Sequence, residues 1–254
     1  DEQAGQESEH VRIPDRLIVA RYMPLFHDRA KPRGRQNLMT LTYDLYWSFR
    51  SPYSYMIMHR LTALERDYDV ACNVRPVYPL AVRTPEFFDT RDPLWFSYFF
   101  ADIHREAEFL GLPFRWPRPD PVYMDMTTRT YPKDQPHIHR LTQMGALAAE
   151  QGRGLAFLDE VSKTIWSGTV DDWHLGDHIA QATARAGLDP ATFAATVDAE
   201  SERLNAVIEE SQVAQRAAGH YGVPMIALNG EPFFGQDRFD QFKWRLEQQG
   251  LKAR

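Results

Sequence analysis

The sequence predicts an α/β fold in which a β-α-β unit and a β-β-α unit flank a long helical insertion. Three observations carry this reading. Apolar residues alternate between Leu38 and Phe49 and pass abruptly, at Ser51-Pro52, into helical spacing. From about Thr84 to Gly219 the periodicity is mostly helical. Beyond Gly222 an apolar run stops at Asn229-Gly230 and a second run returns, the pattern of a tight hairpin.

The first strand is LMTLTYDLYWSF, with Leu41, Tyr43, Leu45 and Trp47 on one face at period 2. The next helix is entered through Ser51, a good N-cap, and Pro52, whose fixed φ suits the first helical position. Met58, Leu61, Leu64 and Tyr68 give it an apolar stripe. Val70–Tyr78 reads as a second strand, so the unit predicts parallel pairing through a right-handed crossover. The insertion is expected to hold helices over 93–111, 144–168, 173–187 and 189–219, several of them ending at Gly. A Pro-rich loop, LPFRWPRPDPVYMD, interrupts them. After the hairpin, Asp237 is expected to open a last helix that stops before Gly250. This order of elements is that of a thioredoxin-like fold with a helical domain spliced into it. The expected division is an N-terminal extension over 1–37, a discontinuous thioredoxin-like domain over 38–83 and 214–254, and a helical insertion domain over 84–213.

Composition bounds the function. The 254 residues carry 29 basic and 35 acidic side chains, a net charge of −6, so no broad positive field exists to attract nucleic acid. With 43% hydrophobic and 25% charged residues the chain can bury a core, and it is not of disordered composition. No apolar run approaches the ~20 residues a membrane span needs. Cys72 has no second cysteine to pair with, and the opening DEQAGQESEH is not a basic segment followed by an apolar one. The expectation is a cytoplasmic protein without a nucleic-acid or membrane partner.

The candidate chemistry lies at Ser51-Pro52-Tyr53-Ser54, where a strand meets a helix N-terminus. Thiol–disulfide oxidoreductases of thioredoxin type carry C-x-x-C at this place, and here both sulfur positions hold oxygen, so these side chains cannot form a disulfide. A second candidate is Gly222-Val223-Pro224, just before the hairpin, where such folds set a cis-Pro opposite the active turn. A third is Gln236-Asp237-Arg238, with an acidic residue suited either to a helix start or to a cationic amine. His174 and His178, four apart, would share a helix face, but the Glu of a metalloprotease H-E-x-x-H is missing, and a solvated surface is expected instead. Cys72, in an apolar strand, reads as a packing residue.

Together YWSFRSPYSYM, YFFADIHREAEFLGLPF and GVPMIALNGEPFFGQDRFDQFKWRL resemble the 2-hydroxychromene-2-carboxylate isomerases and kappa-class glutathione transferases, a DsbA-like branch of the thioredoxin superfamily. The resemblance spans roughly Leu41 to Leu246 and implies a glutathione site. Ser51 would hydrogen-bond the glutathione sulfur, with Tyr53 and Ser54 in support. Val223 and Pro224 would pair by backbone with the tripeptide, and Gln236, Asp237 and Arg238 would take its γ-glutamyl end, Asp237 facing the amine. Tyr98, Asp102 and Arg105 match a helix of the family, but Trp95 stands where the family has a Lys that contacts glutathione, and the usual Gly-Asn after Tyr78 is missing. A homodimer is implied as well, with the 17–37 segment contributing to it.

The implied activity is glutathione-dependent cis–trans isomerisation of an aromatic-derived electrophile. The alternatives are a kappa-type transferase, a DsbA-like binding protein that has lost glutathione, and an enzyme that holds another anionic or thiol ligand at Ser51. Lowering a thiol pKa of ~8.5 by about two units takes roughly 2.7 kcal/mol. A hydrogen bond to a charged group contributes about 1.5–3 kcal/mol and a helix N-terminus about 0.3–1. One hydroxyl and a helix end are therefore sufficient. Arg83, Arg129 and Arg153 are candidate cations for an acidic substrate, and Trp47, Phe49, Tyr53, Trp95 and Tyr123 are candidate wall residues, each of which also reads as core.

Overall fold

The computed structural model describes residues 40–88, 91–125, 127 and 130–254. The expected extension over 1–37, with its 17–37 segment, lies outside them. Strand β1 (Leu41–Trp47) leads into helix α1 (Pro52–Asp67) and returns as β2 (Val70–Pro76). The pairing of β1 with β2 is parallel, Leu41 opposite Val70 through Trp47 opposite Pro76. The hairpin β3 (Met225–Leu228) and β4 (Glu231–Phe234) completes a sheet of order β2-β1-β3-β4. β3 runs antiparallel to β1, with Leu45 opposite Ile226. Asn229 and Gly230 both take positive φ, 51° and 85°, as a two-residue hairpin loop with the strands' own twist requires.

Between β2 and β3 lie α2 (Leu80–Arg83), a 3₁₀ turn (Pro85–Phe87), α3 (Pro93–Phe109), α4 (Ile138–Glu150), α5 (Gly154–Trp166), α6 (His178–Arg185), α7 (Pro190–Ala199) and α8 (Ser201–Ala217). The chain ends on a 3₁₀ turn (Gln236–Arg238) and α9 (Phe239–Gln248). The thioredoxin-like order of elements stands.

Several expected helices are shorter than their patterns. The run over 144–168 breaks at Gly152, whose φ of +67° no helix contains, and gives α4 and α5. The run over 189–219 breaks at Glu200 into α7 and α8. The run over 173–187 is helical only from His178, because Gly176 at φ +63° ends any continuous turn before it. His174 and His178 therefore do not share a helix face. The His174 ring packs against His137 instead, centroids 4.7 Å apart. Asp237 does not open α9: it lies inside the 3₁₀ turn, and α9 has no side-chain cap.

One face of the sheet carries Tyr43, Leu45 and Trp47 into the main core, and the other carries Tyr46, Met225 and Ala227 against Ala214 of α8 and Ala218 just past its end. Two fully buried indoles hold the turn between β1 and α1. Trp47 Nε1 donates to Ser54 O at 2.9 Å, and Trp166 Nε1 donates to Phe49 O at 2.9 Å. The Phe49 ring, itself at 0% exposure, sits edge-on to Trp47 at 4.6 Å. The 48–51 turn is thus anchored to the strand before it, the helix after it and α5 across the core.

Trp166→Phe keeps most of the packing but leaves the buried Phe49 carbonyl without its indole donor. The expected loss is about 1–3 kcal/mol in urea unfolding at an unchanged m-value. A loss near zero would show that the indole does not hold the turn.

Candidate functional site

The site grows out of the first turn of α1. Ser51 is its N-cap, with extended backbone at φ −104°, ψ 116°, and its Oγ accepts from Ser54 N at 3.2 Å. Pro52 follows at N1, where a missing N–H costs nothing. With the acceptor side of Oγ facing the helix, its proton points outward, to Val223 O at 3.3 Å. That contact joins residues 172 apart in sequence. Val223 precedes Pro224 through a cis peptide bond, and Ser51 is half-buried rather than sealed in the core.

The Val223 carbonyl thus meets Ser51, while among the hydrogen bonds of the described residues the Val223 N–H finds no acceptor. Pro224 O accepts from Gly235 N at 2.9 Å, which ties the prolyl turn to the end of β4. Gly222 has no room for a side chain, because a Cβ there would overlap the Phe234 ring. Its N–H donates to His220 Nδ1 at 2.8 Å, and burial lowers the pKa of that imidazole. The accepting nitrogen is therefore held unprotonated.

Ser54 is completely buried and its Oγ has no hydrogen-bond partner. The hydroxyl occupies a position whose surroundings suit an apolar group. Tyr53 turns the other way: its OH donates to Asp102 Oδ2 at 2.5 Å, and Arg105 pairs with the same carboxylate. Burial and then this carboxylate hold the Tyr53 phenol far above the ordinary phenol range. It pins α1 to α3 and stays protonated.

Gln236 is buried and both ends of its amide are occupied. Arg60 donates to its Oε1 and, at 2.6 Å, to its carbonyl, while its Nε2 donates to Glu106 Oε2 at 2.6 Å. Its side chain joins α1, α3 and the 236–238 turn and presents nothing outward. Asp237 and Arg238 are exposed, 3.6 Å apart. Asp237 Oδ1 folds over Gly235, whose φ of +104° and lack of a Cβ make that fold possible.

The candidate wall residues divide. Trp47 and Phe49 are core, and Tyr123 is exposed. Trp95, at 36% exposure, stacks on Phe99 at 5.3 Å and 4°. Phe99 meets Tyr53 at 6.0 Å, Trp95 meets Phe87 at 6.4 Å, and Phe87 meets Tyr221 at 5.9 Å. A chain of rings therefore runs from the tip of α1 to the residue before Gly222. Trp95 joins this aromatic wall in place of the expected lysine.

The candidate cations divide as well. Arg83 bonds Gln215 and the Tyr221 carbonyl, Arg153 lies beside Gly187, and Arg129 is outside the described residues. The cation nearest in sequence to Ser51 is Arg50, paired with Asp120 at 3.0 Å and set over the Trp116 ring. Sequence patterns gave no sign of Gln215 or Asp120, since their partners come from distant segments. Cys72 is half-buried in β2, and burial raises its thiol pKa well above the ordinary range. Among the described residues no cluster of His, Cys, Asp and Glu has the form of a metal site, and no helix is long and apolar enough to cross a membrane.

A DSBA-like thioredoxin domain model matches residues 42–247. No curated protein matches the sequence significantly. Among solved structures, a 2-hydroxychromene-2-carboxylate isomerase is similar at 20% identity and TM-score 0.57, over 82% of this chain and 95% of that one. A probable DsbA oxidoreductase from Streptomyces coelicolor is similar at 15% identity and TM-score 0.57, over 82% and 89% of the two chains. The cytosolic disulfide reductase DsbM from Pseudomonas aeruginosa, solved also with GSH, is similar at 19% identity and TM-score 0.51, over 82% and 98%. At these identities the likeness is one of fold.

Ser54→Ala removes an unpartnered hydroxyl from the core. Stability is expected to stay level or to rise by up to about 1 kcal/mol in denaturant unfolding. A loss above about 1 kcal/mol would show that the hydroxyl has a partner of its own.

Proposed function

The chain belongs to the DSBA-like thioredoxin domain family, and from that premise we propose that it is a glutathione-dependent cis–trans isomerase acting on an aromatic-derived electrophile. The carrying observation is the Ser51 hydroxyl, 3.3 Å from Val223 O, beside a Val223 N–H that finds no acceptor among the described residues. A tripeptide needs a backbone edge and its thiol needs a donor, and both are presented at one point.

The residues present fit glutathione. Val223 offers a donor and an acceptor on one half-buried edge. Asp237 offers an exposed carboxylate to an amine, with Arg238 beside it. Gln236 serves from within, by fixing the turn that carries them. When bound, glutathione supplies a thiolate that adds to and then leaves a conjugated carbon, so that rotation about the intervening single bond changes the geometry of the substrate.

The protein's own part is to hold charge and shape. Ser51 Oγ–H swings from Val223 O towards the sulfur and donates to it. The first turn of α1 adds its positive end. Together they supply the roughly 2.7 kcal/mol that a drop of about two pKa units requires. The rings from Tyr53 through Phe99 and Trp95 to Phe87, mostly packed edge to face, give an aromatic substrate an apolar wall. Tyr53 keeps its proton, so it orients rather than transfers. Without sulfur at positions 51 and 54, the motif holds a thiol but does not exchange disulfides.

Calorimetry with glutathione is expected to show saturable heat at or below millimolar ligand, and an isomerised product should leave without the tripeptide. Ser51→Ala should lower kcat/KM by about 10–100-fold, the value of one hydrogen bond to a charged group. Absence of heat would point to a binding protein without glutathione. A product that keeps the tripeptide would point to a transferase.

A further inference from the structure

We propose that Gln215, acting with Arg83, is a positioning residue that sets the Val223 edge for its peptide ligand. This rests on the glutathione reading of the site. Gln215 lies near the end of α8 and is completely buried. Its Nε2 donates to Gly222 O at 2.7 Å, and its Oε1 accepts from Arg83 Nη1 at 3.0 Å. Arg83, at the end of α2, also donates through Nη2 to Tyr221 O. The carbonyls of two consecutive residues are thus held by side chains from α2 and α8. His220 holds the remaining polar group of Gly222, its N–H.

The consequence falls on the next residue. With Tyr221 and Gly222 tied down, Val223 is the residue turned towards Ser51, its carbonyl 3.3 Å from the hydroxyl and its N–H without an acceptor among the described residues. A buried arginine is costly unless its charge and donors are satisfied. Here Arg83, half-buried, gives Nη1 to a glutamine and Nη2 to a carbonyl while its Nε has no partner among the described residues, and burial together with Arg216 lowers its pKa to about 10. At neutral pH it remains charged and keeps its grip. Among the described residues no carboxylate is a hydrogen-bond partner of Arg83, and what it holds is a carbonyl and the Gln215 amide. Neither side chain touches Ser51, so both act through the turn.

The test is Gln215→Met, similar in shape but without donor or acceptor at the amide position, beside Gln215→Glu, which keeps an acceptor for Arg83 and sets a carboxylate against Gly222 O. Both are expected to raise the KM and Kd for glutathione about tenfold. The KM of the electrophile and kcat at saturating glutathione should stay within about twofold, a split that general loosening of the fold would not produce. A folded variant with wild-type glutathione affinity would overturn the proposal. So would an equal loss in every kinetic parameter.

Amide hydrogen exchange tests the same residue without any ligand. In Gln215→Met, Gly222 and Gly235, whose N–H groups are bonded at the two ends of the turn, should exchange about tenfold faster, with Leu61 and Leu64 of α1 unchanged. Wild-type protein that gives no heat with glutathione but shows this selective exchange would sink the functional reading and leave the clamp standing. Unchanged exchange at Gly222 and Gly235 would sink the clamp whatever glutathione does.

Discussion

The site depends on one contact between distant parts of the chain, the Ser51 hydroxyl against the Val223 carbonyl. A hydroxyl with one proton can serve one acceptor. Because Ser54 N already fills its acceptor side, the proton must point across the gap. The same contact that joins the two ends of the fold therefore keeps a donor where they meet, and turning away from Val223 O frees it for an incoming group.

Each side of the gap has its own support. On the helix side, Trp47 and Trp166 fix the turn from within the core by donating to the Ser54 and Phe49 carbonyls. On the prolyl side, Gln215, Arg83 and His220 do the same for residues just before Val223. Gln236 links the 236–238 turn to both α1 and α3. The buried glutamines Gln135 and Gln215 donate to backbone carbonyls outside helices and strands, which helps give those segments single conformations.

The parts of the fold legible in sequence were those fixed by local chemistry. Ser51-Pro52 started α1, Val70 began β2, and Asn229-Gly230 made the hairpin turn. The misses share a cause. Helical periodicity continued through Gly152, Glu200 and Gly176, but backbone conformation at those points broke the helices, and apolar spacing does not report it. Of the site, Ser51 and Val223 could be placed from strand, turn and prolyl patterns. Gln236 was assigned outward by resemblance, whereas its side chain faces inward, since Arg60 and Glu106 satisfy its amide only from there. Gln215 had no local signal at all, because its meaning lies in Arg83, 132 residues away.

The central claim is that this hydroxyl lowers the pKa of a bound thiol. The direct measurement is the ultraviolet absorbance of thiolate in the glutathione complex, titrated against pH in the wild type and in Ser51→Ala. The account predicts a thiol pKa about two units below the ordinary ~8.5 in the wild type, and a return of at least about one unit when the hydroxyl is removed. Superimposable titrations in the two proteins, or a bound thiol that titrates as it does free in water, would contradict it.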